Sequence, residues 1–321
     1  MKADAKALYD NRYSGDYMDS DAYSTWAHAD LSVHQVVEVL SHVPIIPKRI
    51  LDYGCGVGRW VSTLSGVFPE ASISGVEISE TATKKVQERF PQHVFSQLRD
   101  GKAPFDDEQF DFVFTYHVLE HVDDIGLTIH DISRLLCKGG YACIIFPCGN
   151  KGSLLERLMR LLDESIQMSH TGETAYFFEI PDGHVRRVTS DNTVALFEAN
   201  GLTVTEQMFS GHFFGTIDWL CRGTGPAYIN RVFQGRPPVG RFAQLRIETW
   251  RRILLMTHRF IQRRNLDVKK KRGILKQMAV IAVKSMADIC DYAIVFLATV
   301  EWRLLKRRKG GSAQFLLFKK P

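Results

Sequence analysis

The sequence predicts an α/β fold: a doubly wound, mostly parallel sheet with helices on both faces and an α-helical insertion ahead of the last strand. Three observations predict it. The 321 residues are 45% hydrophobic and 24% charged, with 24 glycines and 11 prolines, a globular composition that excludes disordered, collagen-like and coiled-coil chains. From Arg49 onward, short β-rich runs alternate with helix-length stretches, the pattern of a parallel sheet covered on both sides. After residue 210 the alternation stops, two long helical patterns follow, and a strand-like run returns only behind Gly310-Gly311.

The elements follow in order. Residues 1–30 are polar and rich in Tyr and Asp (Tyr9, Tyr13, Tyr17, Tyr23), an irregular or partly helical lead-in. Asp30-Leu31-Ser32 can cap a helix reaching about residue 42, with Val33, Val36, Val37 and Leu40 on one stripe. Strands are expected over 49–53, 72–78, 110–115 and 141–146. Residues 151–183 hold a helix, 154–162, and a loop with Tyr176, Phe177 and Phe178, which suits either a water-excluding lid or a packing cluster. Thr189 caps a helix that stops at Asn200-Gly201, ahead of a strand over 202–209. Pro237-Pro238 and glycines break up the first part of 211–311. Helices are then expected over about 242–264 and 274–306, and a final strand over 313–319. The domain reading is a helical cap over 1–46, a core over 47–210, a basic helical insertion over 211–311, and the closing strand over 312–321.

The most informative stretch is Leu51-Asp52-Tyr53-Gly54-Cys55-Gly56-Val57-Gly58-Arg59. A strand ends in alternate glycines and a helix begins. Glycine is required where the backbone turns sharply and where a ligand lies directly on the main chain. Glu77 follows Gly54 by 23 residues at the end of the next strand, close to the ~20 expected of an acid that hydrogen-bonds ribose hydroxyls. A dinucleotide site has Gly-x-Gly-x-x-Gly, which seats a pyrophosphate on the helix N-terminus. Here the third glycine comes one residue early and Arg59 follows it.

With Asp52 ahead of the turn, this stretch resembles motif I of the class I S-adenosylmethionine-dependent methyltransferases, in their small-molecule branch. Other segments resemble later landmarks of that family in the same order: Phe105-Asp106-Asp107-Glu108-Gln109-Phe110-Asp111-Phe112-Val113, His117-Val118-Leu119-Glu120-His121-Val122, Leu135-Leu136-Cys137-Lys138-Gly139-Gly140, His184-Val185-Arg186-Arg187-Val188-Thr189 and Gly201-Leu202-Thr203-Val204. The resemblance implies a Rossmann-like sheet of seven strands and S-adenosyl-L-methionine as cofactor. It places Gly54, Cys55, Gly56 and Gly58 with their backbone against that cofactor, Glu77 on its ribose, and Asp52 and Ile78 in the same binding set. Asp100, in Leu98-Arg99-Asp100-Gly101, matches the acid that meets the adenine amine, or is a plain turn aspartate. His117, at the end of strand four, lines the cofactor or acceptor side.

A sulfonium methyl is already electrophilic, so such an enzyme chiefly aligns the acceptor, and a hydroxyl acceptor also needs a base. His117, His121 and His184 are the candidates, with Glu120 as a carboxylate alternative. Against these stand plainer readings: Glu120-His121 as the start of a helix, His184 as a surface residue. Amino-methylating enzymes of nucleic-acid bases carry an Asn/Asp-Pro-Pro-aromatic run where this chain has Thr115-Tyr116-His117-Val118, which argues against that class. Cys148 sits where RNA cytosine-C5 enzymes carry a nucleophile, but a small buried thiol is the preferred reading. The acceptor expected is a small molecule, or one linked to lipid or glycan. The six cysteines form no Cys-x-x-Cys pair and are too sparse for a disulfide scaffold, so no metal is expected. The first residues lack an apolar stretch, which points to a reducing cytoplasm.

Charge is divided unevenly. Residues 231–321 hold 22 Lys+Arg against 5 Asp+Glu, whereas residues 1–230 hold 19 against 31. Lys284, Asp288 and Asp291 interrupt the second long helix and share one face, which makes it amphipathic and too charged to span a bilayer. Lys269-Lys270-Lys271-Arg272, Arg303 and Lys306-Arg307-Arg308-Lys309 flank it. Residues 241–309 therefore suit an anionic membrane surface, with a peripheral position at the inner membrane face. Plain packing, a homodimer contact and nucleic acid are the other readings of these helices. Two further functional readings stay open: an RNA methyltransferase gripping phosphates with the insertion, and a non-catalytic subunit that binds the cofactor.

Overall fold

A computed structural model describes residues 5–14, 27–161, 166–169, 171–222, 226–234, 240–270 and 273–321. Four strands with nearly continuous apolar cores form its centre: β1 (Arg49–Tyr53), β2 (Ser72–Glu77), β4 (Phe110–Tyr116) and β5 (Leu136–Pro147). Runs such as Phe112-Val113-Phe114 and Ile144-Ile145-Phe146 are buried on both faces, as parallel strands covered by helices must be. A short strand, β3 (Val94–Gln97), joins at one edge, and β8 (Thr203–Ser210) and β9 (Ala313–Lys319) at the other. The spatial order is β3-β2-β1-β4-β5-β9-β8. The pairs from β3 to β5 are parallel, and β9 runs antiparallel to both β5 and β8. The predicted α/β class and mostly parallel sheet are therefore present. Strand order reverses between β1 and β4, and ligands of open α/β sheets bind at the carboxyl ends beside such a switch.

Helices α1 (Ala5–Ser14), α2 (Ala27–Leu40), α3 (Val61–Val67), α4 (Glu80–Arg89), α5 (Ile125–Leu135), α6 (Leu154–Arg160) and α7 (Ser190–Glu198) belong to the sheet and its lead-in. Local chemistry sets their starts. Ser79, Asp124, Ser153 and Thr189 each accept the N–H three residues on, capping α4, α5, α6 and α7. The partly helical reading of the lead-in is met by α1, which packs against α4, while residues 1–4 and 15–26, with Tyr17 and Tyr23, lie outside the described residues. Between α6 and α7 lies a two-stranded hairpin, β6 (Ile166–Met168) with β7 (Thr174–Tyr176).

The segment between β8 and β9 is helical: α8 (Phe214–Cys221), α9 (Pro226–Val232), α10 (Arg241–Ile261) and α11 (Ile274–Leu305). These helices and α6 share an apolar cluster that includes Leu155, Leu158, Leu220, Ile229 and Leu254. Tyr176 and Phe178 belong to that cluster, with Phe178 fully buried and edge-on to Tyr228. They are packing residues, and the lid reading of the aromatic loop falls.

The orientation of α11 corrects a second expectation. Asp291 faces inward, where Arg222 Nε and Arg264 Nη1 each reach it at 2.7 Å. Glu301, also buried, accepts N–H bonds from His212, Phe213, Phe214 and Gly215 at 3.1, 2.8, 2.7 and 3.1 Å, and so caps the start of α8. Trp302 packs on Phe315 of β9 and donates to Glu38 of α2 at 2.5 Å. Of the predicted charged stripe, Asp291 thus anchors α11 to the body, with Glu301 and Trp302 further along, whereas Lys284 and Asp288 pair with each other on the helix. Lys306, Arg307 and Lys309, read as part of an outward basic cluster, pair with Glu38, Glu206 and Asp191.

Candidate functional site

The turn after β1 is built from backbone that only glycine adopts cheaply. Gly54, Gly56 and Gly58 have φ of 79°, 53° and 83°. Two of them also answer a packing demand. A Cβ on Gly54 would lie 2.3 Å from Val118 Cγ2, and one on Gly58 would lie 2.6 Å from the Phe90 ring. Gly56 differs: the nearest atom to its added Cβ is the Tyr13 hydroxyl, 2.8 Å away at the end of a side chain on α1. The face of Gly56 is therefore covered by the lead-in helix and not by the sheet.

Glu77 closes the other side of this hollow. Its Oε2 accepts the Gly56 N–H and its Oε1 the Ser79 N–H, both at 3.0 Å. Burial raises its pKa, against the lowering effect of these backbone donors. Asp52 is 1% exposed and its Oδ2 has no hydrogen-bond partner. Burial, then the charge of Glu77, pushes the Asp52 carboxyl up to about 8. Two buried carboxylates beside bare backbone form a cradle that lacks a cation and a hydroxyl-bearing partner. An adenosyl sulfonium carries both, so these residues fit the cofactor the sequence implies.

The remaining members of the predicted binding set are peripheral. Ile78 is half-buried, and its carbonyl accepts from Gln97 Nε2 at 3.0 Å. Cys55 is buried, and burial holds its thiol well above the usual range, so it contributes shape and backbone. Asp100 (φ 49°) and Gly101 (φ 72°) form the tip of a two-residue turn closed by mutual backbone bonds between Arg99 and Lys102. Asp100 is exposed there, at the tip of the turn.

At the end of β4 the chain makes a second unusual turn. His117 has φ 56°, rare for a side-chain-bearing residue and a frequent mark of functional sites. Its N–H still donates to Ile145 of β5 at 2.8 Å, and its Nδ1 lies 2.7 Å from Glu120 Oε1. Burial alone would raise the fully buried Glu120 carboxyl, but the histidines around it bring it down to about 2. His121 Nε2 lies 3.8 Å from Glu120 Oε1, and burial lowers its imidazole to about 4. The His184 ring stands edge-on to His121 at 4.6 Å. His184 is thus no surface residue: its Nδ1 is 3.8 Å from Glu179 Oε2, and Arg187 bonds the other oxygen of Glu179 at 2.5 Å.

All three histidines predicted for the site therefore converge on Glu120, although His184 comes from a distant loop. Helix α1 ties this cluster to the glycine cradle. The Tyr9 ring meets His121 at 5.5 Å, Tyr13 covers Gly56, and Asp10 accepts from Ser79 Oγ at 2.6 Å and Thr81 N at 3.2 Å. These α1 residues were missed from sequence, where only the density of Tyr and Asp marked them. Cys148 is 2% exposed with its thiol raised by burial, so it is the small buried cysteine preferred from sequence and not a nucleophile.

Comparison with known proteins agrees with this geometry. A family model described as a methyltransferase domain matches residues 25–207. The malonyl-acyl-carrier-protein O-methyltransferase of Legionella pneumophila is 29% identical over 152 residues, covering 46% of this chain and 52% of the relative. A trans-aconitate 2-methyltransferase of Variovorax paradoxus is 31% identical over 124 residues, covering 38% and 48%. The chain thus spans about half the length of these curated relatives. Phosphoethanolamine N-methyltransferase 2 of Haemonchus contortus, solved with phosphomonomethylethanolamine and S-adenosylhomocysteine, has the same fold. Its TM-score is 0.50 at 15% identity, covering 99% of this chain and 60% of that one.

Proposed function

The chain belongs to the methyltransferase-domain family, and from that premise we propose that it transfers a methyl group from S-adenosylmethionine to an oxygen of a small or lipid- or glycan-linked acceptor. The observation that carries this reading is the cradle: the bare backbone of Gly56, faced by the Tyr13 hydroxyl of α1 and not by the sheet, beside the buried carboxylates of Asp52 and Glu77. Glu77 would hold the ribose hydroxyls, Asp52 the positive charge, and the backbone of 54–58 the thioether side. Bound there, the cofactor supplies a methyl made electrophilic by its sulfonium. The malonyl-acyl-carrier-protein O-methyltransferase relative supports an oxygen acceptor, and the trans-aconitate 2-methyltransferase relative a small-molecule one.

The protein's own chemistry is proton handling and alignment. With Nδ1–H donated to Glu120, His117 keeps a lone pair on Nε2, the arrangement of a general base held by a carboxylate. Its side chain is 40% exposed, so the outer nitrogen is accessible to an acceptor hydroxyl. Tyr9 and Tyr13 on α1 shield the hollow from water. The test is methyl-labelled cofactor with fractionated cell extract. Label entering the small-molecule, lipid or glycan fraction is expected. Label in RNA would instead support the nucleic-acid reading, and cofactor binding without transfer to any fraction would leave a non-catalytic subunit.

The finer proposal is that the enzyme works on an anionic membrane surface. No described helix is long and apolar enough to cross a bilayer. Yet the outward face of α11 presents Met278, Ile281, Ile289, Tyr292, Phe296 and Leu304, and the outward face of α10 mixes Phe242, Leu245, Ile253 and Met256 with Arg246, Arg252 and Arg259. Apolar side chains set among cations suit the boundary between head groups and acyl chains. Co-sedimentation with phosphatidylglycerol vesicles is expected, and Ile289→Glu/Phe296→Glu should abolish it; equal recovery of both proteins would defeat the proposal.

A further inference from the structure

We propose that Glu120, His121 and His184 form a binding site for a divalent transition-metal cation beside the acceptor position. One ligand atom from each of these residues lies within 4.8 Å of the others. Two ligands of one tetrahedral ion, each at about 2.0–2.2 Å, stand roughly 3.4 Å apart, so the cluster needs to contract by up to about 1.4 Å to close on an ion. Two imidazoles and one carboxylate form a mixed nitrogen and oxygen set that suits zinc, manganese, cobalt or ferrous iron and leaves coordination positions open.

Three further observations separate this cluster from ordinary buried polar residues. Glu120 is 0% exposed, and its Oε2 has no hydrogen-bond partner while Oε1 faces His117. A buried carboxylate oxygen without a donor is costly, and a cation would satisfy it. Behind His184, the Glu179 carboxylate lies 3.8 Å from Nδ1, beyond hydrogen-bond distance, and is itself fixed by Arg187; an approach of about 1 Å on metal binding would make it the backing that orients a metal-bound imidazole. Finally, the backbone supports the cluster from two sides: Val185 N–H donates to the Glu120 carbonyl at 2.8 Å, locking the loop of His184 onto the turn of Glu120. His117 lies against Glu120, so an acceptor oxygen reached by His117 is also beside the ion. A substrate with two neighbouring oxygens, such as a diol, catechol or hydroxy acid, is the class such an ion would select.

The test uses Co(II) alone, added to the full-length protein after chelator treatment, with the visible d–d absorption as readout and no methyl donor present. One equivalent is expected to bind with the intense spectrum of a four- or five-coordinate ion, and Zn(II) to displace it. His121→Ala and His184→Ala should each weaken binding at least 100-fold, and Glu120→Gln, nearly isosteric, should do so without unfolding the chain by circular dichroism. His93→Ala, outside the cluster, should bind as the wild type does. Gly56→Ala should keep Co(II) binding while losing S-adenosylmethionine, which separates this proposal from the methyltransferase reading. A hexaaquo spectrum for the wild type, or equal binding by folded Glu120→Gln, would overturn it.

Discussion

Replacing Gly54 and Gly56 separately by alanine should divide folding from cofactor binding. Both positions are left-handed, at φ 79° and 53°, so either alanine incurs roughly 1–2 kcal/mol of backbone strain. At Gly56 little else is added, because the contact at 2.8 Å is the tip of the Tyr13 side chain, which can rotate away. At Gly54 the methyl would lie 2.3 Å from Val118 Cγ2, inside the turn at the end of β4, which adds an overpacking cost of about 1–3 kcal/mol. At about 2–4 °C per kcal/mol for a domain of this size, Gly56→Ala should lower Tm by roughly 2–8 °C and Gly54→Ala by roughly 4–20 °C. Saturating S-adenosylmethionine at about 100 times its Kd stabilises a binder by about 2.7 kcal/mol, a clear upward shift in Tm. Wild type should show that shift and Gly56→Ala should not, although it is the milder folding lesion. Thermal unfolding with and without cofactor measures both quantities. Retention of the cofactor shift by Gly56→Ala, or a Gly54→Ala protein as stable as Gly56→Ala, would refute the assignment of the Gly56 face to the cofactor.

Three other outcomes are expected. Asp52 keeps its proton in the folded chain up to about pH 8 but loses it near 3.8 when unfolded, so its contribution to stability is fullest at low pH and declines between those values as pH rises. The cofactor's positive charge favours the ionised form, so affinity measured by calorimetry should rise up to tenfold per unit towards pH 8, and Asp52→Asn should flatten both trends. Glu120→Gln, which removes the charge that holds His117, should lower kcat by roughly 10²–10⁴ while leaving cofactor Kd near the wild-type value; a parallel loss of both would place Glu120 in the cofactor pocket instead. Glu301→Ala leaves four backbone N–H groups at the start of α8 without their acceptor, that of His212 buried at a cost of about 1–3 kcal/mol and the other three within reach of water, so urea unfolding should show a loss of about 1–3 kcal/mol.

What could be read from the sequence was whatever rests on local spacing. Three glycines at alternate positions, an acid at the end of the next strand and a helix cap at Thr189 are short-range patterns, and the structure places each where those patterns put it. Asp100 shows the limit of the same method. Asp-Gly is as good a turn as it is a motif: the exposed tip and paired φ values show the turn, and a side chain at such a tip is equally able to meet an adenine amine. The histidine cluster was half legible: His117, Glu120 and His121 are neighbours in sequence, but His184 reaches them through a backbone bond from Val185 to Glu120 that no spacing announces. Likewise α1 reads as a polar lead-in, because its docking depends on Asp10 finding Ser79 and Thr81 at the cap of α4.

The charge division misled in a more instructive way. Periodicity showed that α11 is amphipathic, but it cannot say which face turns inward. Asp291 and Glu301 turn inward because Arg222, Arg264 and the N–H groups opening α8 wait for them, and Lys306, Arg307 and Lys309 spend their charge on acids of the body. Part of the basic excess is therefore matched by acids of the body, Lys306 in a mostly covered pair and Arg307 and Lys309 in pairs at the surface. What remains outward is the apolar strip of α11, the mixed face of α10, and the exposed bases Lys269, Lys270, Arg303 and Arg308. Binding to a phosphate backbone would weaken steeply with salt in proportion to the contacts made. Attachment through Ile289, Tyr292 and Phe296 would instead persist at ionic strengths that screen the arginines, since apolar burial is insensitive to screening. Vesicle recovery that survives high salt but not Ile289→Glu/Phe296→Glu is the signature of this surface, and recovery that vanishes with salt while tolerating the double change would assign the attraction to charge alone.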